Sequence, residues 1–558
     1  MSIATQISFD EITKNLAESF LQTVVVVDDE AYLRPSDVSR PLVAEGGPQT
    51  EQLVEPGPRG QPDIVVDNPP DDARPASTSH QLDAKVLIDS FALKGLVCAV
   101  LTPGKGEDLA LNTLNAAQRA DVVVLDWQLS NDDGVKAISI IKRLIEEDTK
   151  RGGRLRFVIV YTGEGNLETK CVTPVANALQ FLNRSAKRAD VLENELTRVV
   201  FIKKGSGAEE PVVGEIDEKQ LPDRVVQEFA EMTRGILANT VMESMSSVRN
   251  ETHRVLARFH NRLDGAYLTH RILSVTPDDA EPFLVDLIGD EFRALLETHK
   301  VGHDGCGIQS LEYFIRSLEH NGVTFQIKAG SEPASAELKI VPATEVIESL
   351  QKGIETAANL WQNKNSLYKK IYPLLSPADP SAGLKCHYDF CRLSALRREA
   401  YGFPHEATSW RPRLELGTVV VTDADEYFVC LQPVCDSVRL VPEQSHPFIF
   451  SGCERKDSKF DLVVLDKNGS NVCLRFNEQP FKTRLFNLKP TDGGEVRAKT
   501  VSANQHVFEA TSNEGALNLT WIGDLRAPFA MRLAHRVATE LSRIGLDEFE
   551  WLRKHAKG

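Results

Sequence analysis

Thr23-Val24-Val25-Val26-Val27-Asp28-Asp29-Glu30 is the stretch on which the fold turns. Its first five residues are all β-branched and nearly all apolar, and its last three are acids. A strand apolar on both faces belongs inside a parallel sheet that helices cover from either side. Four further runs of this kind follow, at 96–101, 122–125, 157–161 and 199–202. Between them lie segments with helical spacing, at about 81–94, 107–119, 134–148 and 168–183, and another helix starts at Pro222. Ahead of the first strand, Ser8 and Glu11 form a capping box in front of Ile12, Leu16 and Phe20. Five β-α units in this rhythm predict an α/β domain with a doubly wound, five-stranded parallel sheet over residues 1–240.

One segment interrupts the rhythm. Nine prolines fall between Pro35 and Pro75, mixed with Gly, Asp, Glu and Ser. Such a composition cannot bury a core, so a disordered insertion is expected over 33–79. Past Pro222 the helical pattern runs on without a Gly-Pro break, which predicts one long helix leading into a helical region, 241–375. Further helices are expected at 279–298, 309–319 and 344–372. A Pro- and Gly-rich connector is expected at 376–412. A β-rich domain, 413–558, then has strands at 418–421, 427–431, 462–465 and 472–476. An amphipathic terminal helix follows at about 526–556, with Met531, Leu533, Val537, Leu541, Ile544, Phe549 and Leu552 on its apolar face.

Composition excludes several classes. The chain has 558 residues, 42% of them hydrophobic, and a net charge of −16. That disfavours nonspecific binding to nucleic acid or acidic membranes. No apolar run of about eighteen residues is present, so no membrane-spanning helix is expected. Nine scattered cysteines and an N-terminus without a secretory layout point to a reduced, cytoplasmic setting.

The chemistry is expected where the strands end, because ligands of such sheets bind outside the carboxyl ends of the strands. The first strand ends in Asp28-Asp29. The third ends in Asp126-Trp127-Gln128-Leu129-Ser130-Asn131-Asp132-Asp133-Gly134, the fourth in Thr162-Gly163-Glu164, and the fifth in Phe201-Ile202-Lys203-Lys204-Gly205. Three clustered carboxylates call for a divalent cation, Mg²⁺ or Mn²⁺ given all-oxygen ligands. An aspartate beside that cation is a competent nucleophile for a phosphoryl group, and a lysine and a hydroxyl can hold the product's oxygens.

This pattern resembles the receiver domain of two-component response regulators, over about residues 20–240. The resemblance implies a flavodoxin-like strand order and phosphorylation of Asp126 by a partner histidine kinase. It also implies a metal held by Asp28, Asp29, Asp126 and the backbone of Gln128. Thr162 and Lys204 would sense the phosphate and Phe201 would be the aromatic switch. Gln128 and Glu164 would flank the water that removes the phosphate, giving a lifetime of minutes or less. The family's Lys-Pro pair is absent here, which leaves Lys203 as the competitor of Lys204; Phe201, three residues before Lys204, favours the latter. Haloacid-dehalogenase phosphatases share the architecture, but their Asp-Xaa-Asp is not what ends this first strand.

The remainder carries no decisive motif. Residues 411–558 hold twenty basic and twenty acidic side chains, with no basic stripe for DNA. Cys386, His387 and Cys391, with Cys430 and Cys435, lack the usual zinc spacing and read better as small packed side chains. Cys435 with His446 is a candidate nucleophile pair, and His253 and His260, seven residues apart on one helix face, are candidates for histidine phosphotransfer. The stretches Phe428-Val429-Cys430-Leu431-Gln432-Pro433-Val434-Cys435-Asp436 and Arg543-Ile544-Gly545-Leu546-Asp547-Glu548-Phe549-Glu550-Trp551 are similar to variant receivers of prokaryotic conflict systems, such as the antiphage system Detocs. The expected function is a phosphorylation-controlled regulator with a non-DNA-binding output. Its expected partners are a histidine kinase, a second regulator or effector, and a second copy in a homodimer. An effector enzyme with its site in the C-terminal half is the alternative.

Overall fold

The computed structural model describes residues 8–33, 81–102, 109–205, 214–329, 337–353, 355–356, 380–401, 410–491, 493–502 and 505–541. They fall into two compact units. One comprises Met1–Glu146, Leu155–Val323 and Ala343–Ile354; the other is mainly Glu355–Gly558, with Glu147–Arg154 and Thr324–Pro342. From residue 34 onward the Pro-rich insertion lies outside the described residues, as does most of the helix expected at 344–372.

The first unit is the doubly wound sheet. Its parallel strands are β1 (Thr23–Val27), β2 (Val97–Leu101), β3 (Val122–Leu125), β4 (Arg156–Thr162) and β7 (Thr197–Lys204), in the order β2-β1-β3-β4-β7. The sheet is wider than the five strands expected. Two short strands, β5 (Asn183–Arg184) and β6 (Val191–Glu193), continue it antiparallel beyond β7, and β8 (Glu215–Ile216) pairs with the end of β7. The helix expected at 168–183 is correspondingly shorter. It opens with a π-helical turn, Glu168–Val172, continues as α5 (Thr173–Ala178), and stops so that the chain can form this edge.

Alternation along the strands splits the core in two. Val25, Val27, Val123, Leu125, Val158, Val160 and Phe201 face α4 (Val135–Lys150), α5 and α3 (Leu109–Ala117). Val24, Val26, Val124, Ile159, Tyr161, Val200 and Ile202 face α1 (Phe9–Phe20), α2 (Ala84–Leu93) and α6 (Leu221–Thr233). Helices on both sides explain why these strands read as unbroken apolar runs. The capping box at Ser8 and Glu11 is formed, with backbone-to-side-chain distances of 2.7 and 3.1 Å.

The single long helix expected from Pro222 is in fact two. α6 ends at Thr233, Arg234 and Gly235 are extended, and α7 (Ile236–Arg258) begins afresh. Glycine is a poor helix former, and the break lets each half bury its own apolar stripe. α6 packs on the sheet, whereas α7 meets α1 through a polar seam. There Asn239 donates to Thr13 (2.9 Å), the Ser19 and Ser246 hydroxyls bond (2.7 Å) and Arg249 donates to Phe20 O (2.6 Å), while the same arginine pairs with Asp121 just ahead of β3 (2.6 Å). His260 falls beyond the end of α7, so it does not share a helix face with His253. The helical region continues through α8 (Asp264–Leu273), α9 (Ala280–Thr298), α10 (His303–Cys306), α11 (Ile308–His320) and α12 (Ala343–Lys352).

Within the second unit, β9 (Gln326–Ala329) and β10 (Glu337–Ile340) form a hairpin inside the span expected to be helical. Part of the expected connector is instead α13 (Pro380–Ala395) and β11 (Leu396–Glu399). The β-rich part closes on itself. β12 (Thr418–Thr422), β13 (Tyr427–Cys430), β14 (His446–Arg455), β17 (Thr483–Leu488), β19 (Gln505–Ser512) and β20 (Gly515–Leu525) pair in a ring, because β19 and β20 also pair with each other. β11 and β18 (Lys499–Ser502) extend the ring, and the hairpin of β15 (Leu462–Leu465) and β16 (Asn471–Phe476) joins β14. Phe428, Phe448, Phe450, Phe486, Phe508 and Trp521 fill the barrel. Outside it, α14 (Ala527–Leu541) buries Leu533 and Val537 against Val419, Val429 and Leu474. Met531 is exposed, contrary to expectation, and the four later apolar positions have no described side chain.

One buried acid in this barrel makes its stability depend on pH. Asp524 is buried, and burial pushes its carboxyl up to about 6, although Trp521 Nε1 (3.3 Å) and Thr418 Oγ1 (3.1 Å) both donate to it. The folded state thus favours the protonated acid, so this group's contribution to stability falls as pH rises from about 4 through about 6. Asp524→Asn retains both accepted bonds. Its stability advantage over wild type should grow by roughly 2–3 kcal/mol between about pH 4 and pH 7.5, read from urea midpoints.

Candidate functional site

The strand-end residues do converge. Parallel register aligns Val27, Leu125, Val160 and Phe201 across four strands, so the residues that follow them share one edge of the sheet. Asp28 and Asp126 are buried there, and Lys204 reaches between them. Its Nζ lies 2.7 Å from Asp28 Oδ2 and 2.8 Å from Asp126 Oδ1, and 5.7 Å from the centre of the Tyr161 ring. Lys203 points elsewhere and pairs with Glu215 at 2.8 Å. The alternation of β7 sends adjacent lysines to opposite faces.

Burial pushes the Asp126 carboxyl above the usual carboxylate range, with Lys204 opposing and Asp28 adding to the rise. Burial pulls Lys204 down, but the carboxylates of Asp126 and Asp28 outweigh it and hold the ammonium above its ordinary value. The desolvated carboxylate pair is therefore compensated by a buried cation.

The loop after Asp126 is tightly determined. Trp127 and Leu129 are fully buried in the core beneath α4, which pins the loop at two points. Ser130, Asn131 and Asp133 adopt positive φ, and Gly134 has φ +85. A Cβ at Gly134 would lie 2.0 Å from the Trp127 indole, so the glycine eight residues after Asp126 is required by packing as well as by backbone. Asp132 then caps α4 by accepting from Lys136 N at 2.9 Å. Inside the loop, Gln128 N donates to Asp126 Oδ2 (3.0 Å), and Ser130 N donates to Asp29 Oδ2 (2.6 Å).

Gln128 and Glu164 meet across the site, Gln128 Nε2 donating to Glu164 Oε1 at 2.6 Å. Thr162 is buried at the end of β4, and its Oγ1 accepts from Glu164 N (3.3 Å). Phe201 is also wholly buried, inside the α4-side core. Beyond it, β6 covers the edge of β7 that a five-stranded sheet would leave open. The aromatic switch expected there thus sits in a closed core.

The donor set suits a hard cation. Asp28, Asp29 and Asp126 offer only oxygen, and Asp29 Oδ1 is buried without a hydrogen-bond partner among the described residues. Among those residues, however, no three acidic, His or Cys side chains stand grouped as metal ligands; Lys204 bridges two of the acids.

The weaker candidates are not assembled. Cys435 Sγ donates to Asp436 (3.4 Å), while His446 bonds to Val441 O (3.1 Å). Cys430 is buried in the barrel, and Cys391 lies 4.0 Å from His387. Sequence reading missed the Gln128–Glu164 bridge and the β5–β6 edge. The first follows from loop geometry, and the second from strands too short to show a period.

Residues 20–209 match the family described as the response receiver domain, about a third of the chain. This segment is thus a receiver domain, which supports a phospho-accepting response regulator in general; receivers as a class bind Mg²⁺ at the phosphorylation site and imply a histidine kinase. No curated protein matches the chain. Among the described residues, no helix is long and apolar enough to cross a membrane.

Proposed function

We propose that Asp126 accepts a phosphoryl group from a histidine kinase and that the rest of the chain responds to it. The observation that carries this reading is Lys204 held between Asp28 and Asp126. A phosphorylated Asp126 would give that ammonium new oxygens to bind, so it would shift away from Asp28. A divalent cation on Asp28, Asp29, Asp126 and the Gln128 carbonyl would neutralise the incoming phosphoryl oxygens. A role in antiphage defence, supported by the sequence resemblance, and a cytoplasmic setting, supported by the nine scattered cysteines, are part of the proposal.

The Gln128–Glu164 bond bears on how long the phosphate lasts. In this reading both side chains would flank the water that attacks phospho-Asp126; Gln128 is held twice, donating to Glu164 and accepting from Asp133 N at 3.3 Å. A fixed amide orients a water better than a free one. Gln128→Ala should lengthen the phospho-Asp126 lifetime about tenfold, the weight of one hydrogen bond of ~1.4 kcal/mol in the transition state. Decay of radiolabelled protein measures it; an unchanged lifetime removes Gln128 from turnover.

Two uses of the phosphate differ in outcome. A regulator with an output loses its cellular effect when residues 260–558 are deleted, whereas a phosphate buffer keeps it with the receiver and α7 alone. The alternative of an effector site finds support in a cavity of about 580 Å³ in the second unit, lined in part by Asn487, Lys489, Arg497, Lys499, Phe508 and Asn518. If that reading is right, residues 380–558 expressed alone are toxic, and Lys489→Glu with Arg497→Glu relieves it.

A further inference from the structure

A two-residue strand and one tyrosine fasten the start of α6 to the lysine of the site. β8 runs parallel to the end of β7, with Glu215 beside Lys203 and Ile216 beside Lys204. The Ile216 carbonyl accepts twice: from Gly205 N at 2.9 Å, the residue after Lys204, and from the Tyr161 hydroxyl at 2.7 Å. Tyr161 is buried near the end of β4, on the face of the sheet that α1, α2 and α6 cover, with Lys204 Nζ 5.7 Å from its ring centre. One side chain thus meets both the ammonium of the site and the carbonyl that seats β8.

The residues after Ile216 open α6. Asp217 Oδ1 accepts from Lys219 N and Gln220 N, both at 3.1 Å, and its carbonyl accepts from Leu221 N at 3.1 Å. Glu218 Oε1 accepts from Asp83 N at 3.4 Å. Asp83 caps α2 and forms a bridge with Tyr32, four residues beyond Asp28. The turn 215–218 is therefore tied to the strand that carries Lys204 and to the segment that follows Asp28. On the other face of the sheet, Phe201 is closed in by the α4-side core and by β6.

We infer that Tyr161 is a positioning residue that passes the state of Asp126 to the start of α6 through the Ile216 carbonyl. The inference rests on the phosphorylation proposed above. An ammonium drawn from Asp28 toward phosphoryl oxygens changes its place beside the Tyr161 ring. In a close-packed core the ring and its hydroxyl shift together, so the bond to Ile216 weakens and the turn 215–218 loosens.

Hydrogen exchange of the full chain tests this, with a small acyl-phosphate donor and Mg²⁺ in excess. Incorporation is read from the intact mass of the acid-quenched sample. In phosphorylated wild type the amides of Gly205 and of Lys219, Gln220 and Leu221 should exchange at least about threefold faster than without donor. Tyr161→Phe keeps the ring and removes the hydroxyl bond; it should incorporate phosphate as wild type does and show the same exchange with and without donor. A merely structural loss would speed exchange equally in both states and leave the difference in place. Phe201→Leu should keep the difference. Full incorporation into wild type without faster exchange at these amides overturns the relay alone, as does a difference that survives in Tyr161→Phe. No incorporation into wild type overturns the phosphorylation reading, and the relay falls with it.

Discussion

Asp126→Asn should abolish phosphate incorporation from Mg²⁺ and a small acyl-phosphate donor, by at least about a thousandfold, or ~4 kcal/mol in the transition state. The amide is nearly isosteric but is not a nucleophile. It still accepts from Gln128 N, so the loop anchored by Trp127 and Leu129 should hold its shape. The far-ultraviolet spectrum and melting of the variant should match wild type within about 1 kcal/mol. Residual labelling of the variant at a histidine would transfer the chemistry elsewhere.

Lys204→Ala has the second largest expected effect, and it acts on stability as well as on signalling. Removing the ammonium leaves Asp28 and Asp126 buried side by side with no cation between them. Breaking a buried ion pair from one side costs about 3–5 kcal/mol. The loss should appear in chelator and be largely recovered in millimolar Mg²⁺, because a divalent cation can replace the missing charge at the same carboxylates. Phosphorylation should persist in Mg²⁺, while any phosphate-dependent change in the rest of the chain disappears. Lys203→Ala should do neither, since Lys203 pairs with Glu215 outside the site. If Lys203→Ala gives the larger loss, the side-chain assignment is reversed.

Much of this site was legible because strand ends in a parallel sheet carry their side chains to one edge. Runs such as 23–27 and 122–125 fix strand position to within a residue, so Asp28, Asp126, Thr162 and Lys204 follow by counting. Choosing between adjacent lysines was also tractable, since Phe201 stands three residues before Lys204, and it is Lys204 that reaches Asp28 and Asp126. The helix break at Arg234-Gly235 was harder to see. Both flanking segments are amphipathic, and only packing of α1 on two helices reveals that they point differently. The closure of the barrel was not legible either. It depends on β19 and β20 pairing with each other and with strands far away in sequence, and no periodicity encodes that ring. Likewise α13 occupies a stretch whose prolines and glycine suggested a connector. Pro380 stands at its first position, where a proline costs a helix little.

The most direct measurement is the position of the phosphate on the wild-type chain. The protein is loaded with phosphodonor and Mg²⁺, reduced with borohydride to convert the acyl phosphate to homoserine, digested, and mapped by mass spectrometry. The strand-end pocket predicts the modification at Asp126, on the peptide containing Trp127 and Gln128. Modification at Asp28 or Asp29, or none under conditions that load another receiver, would contradict it.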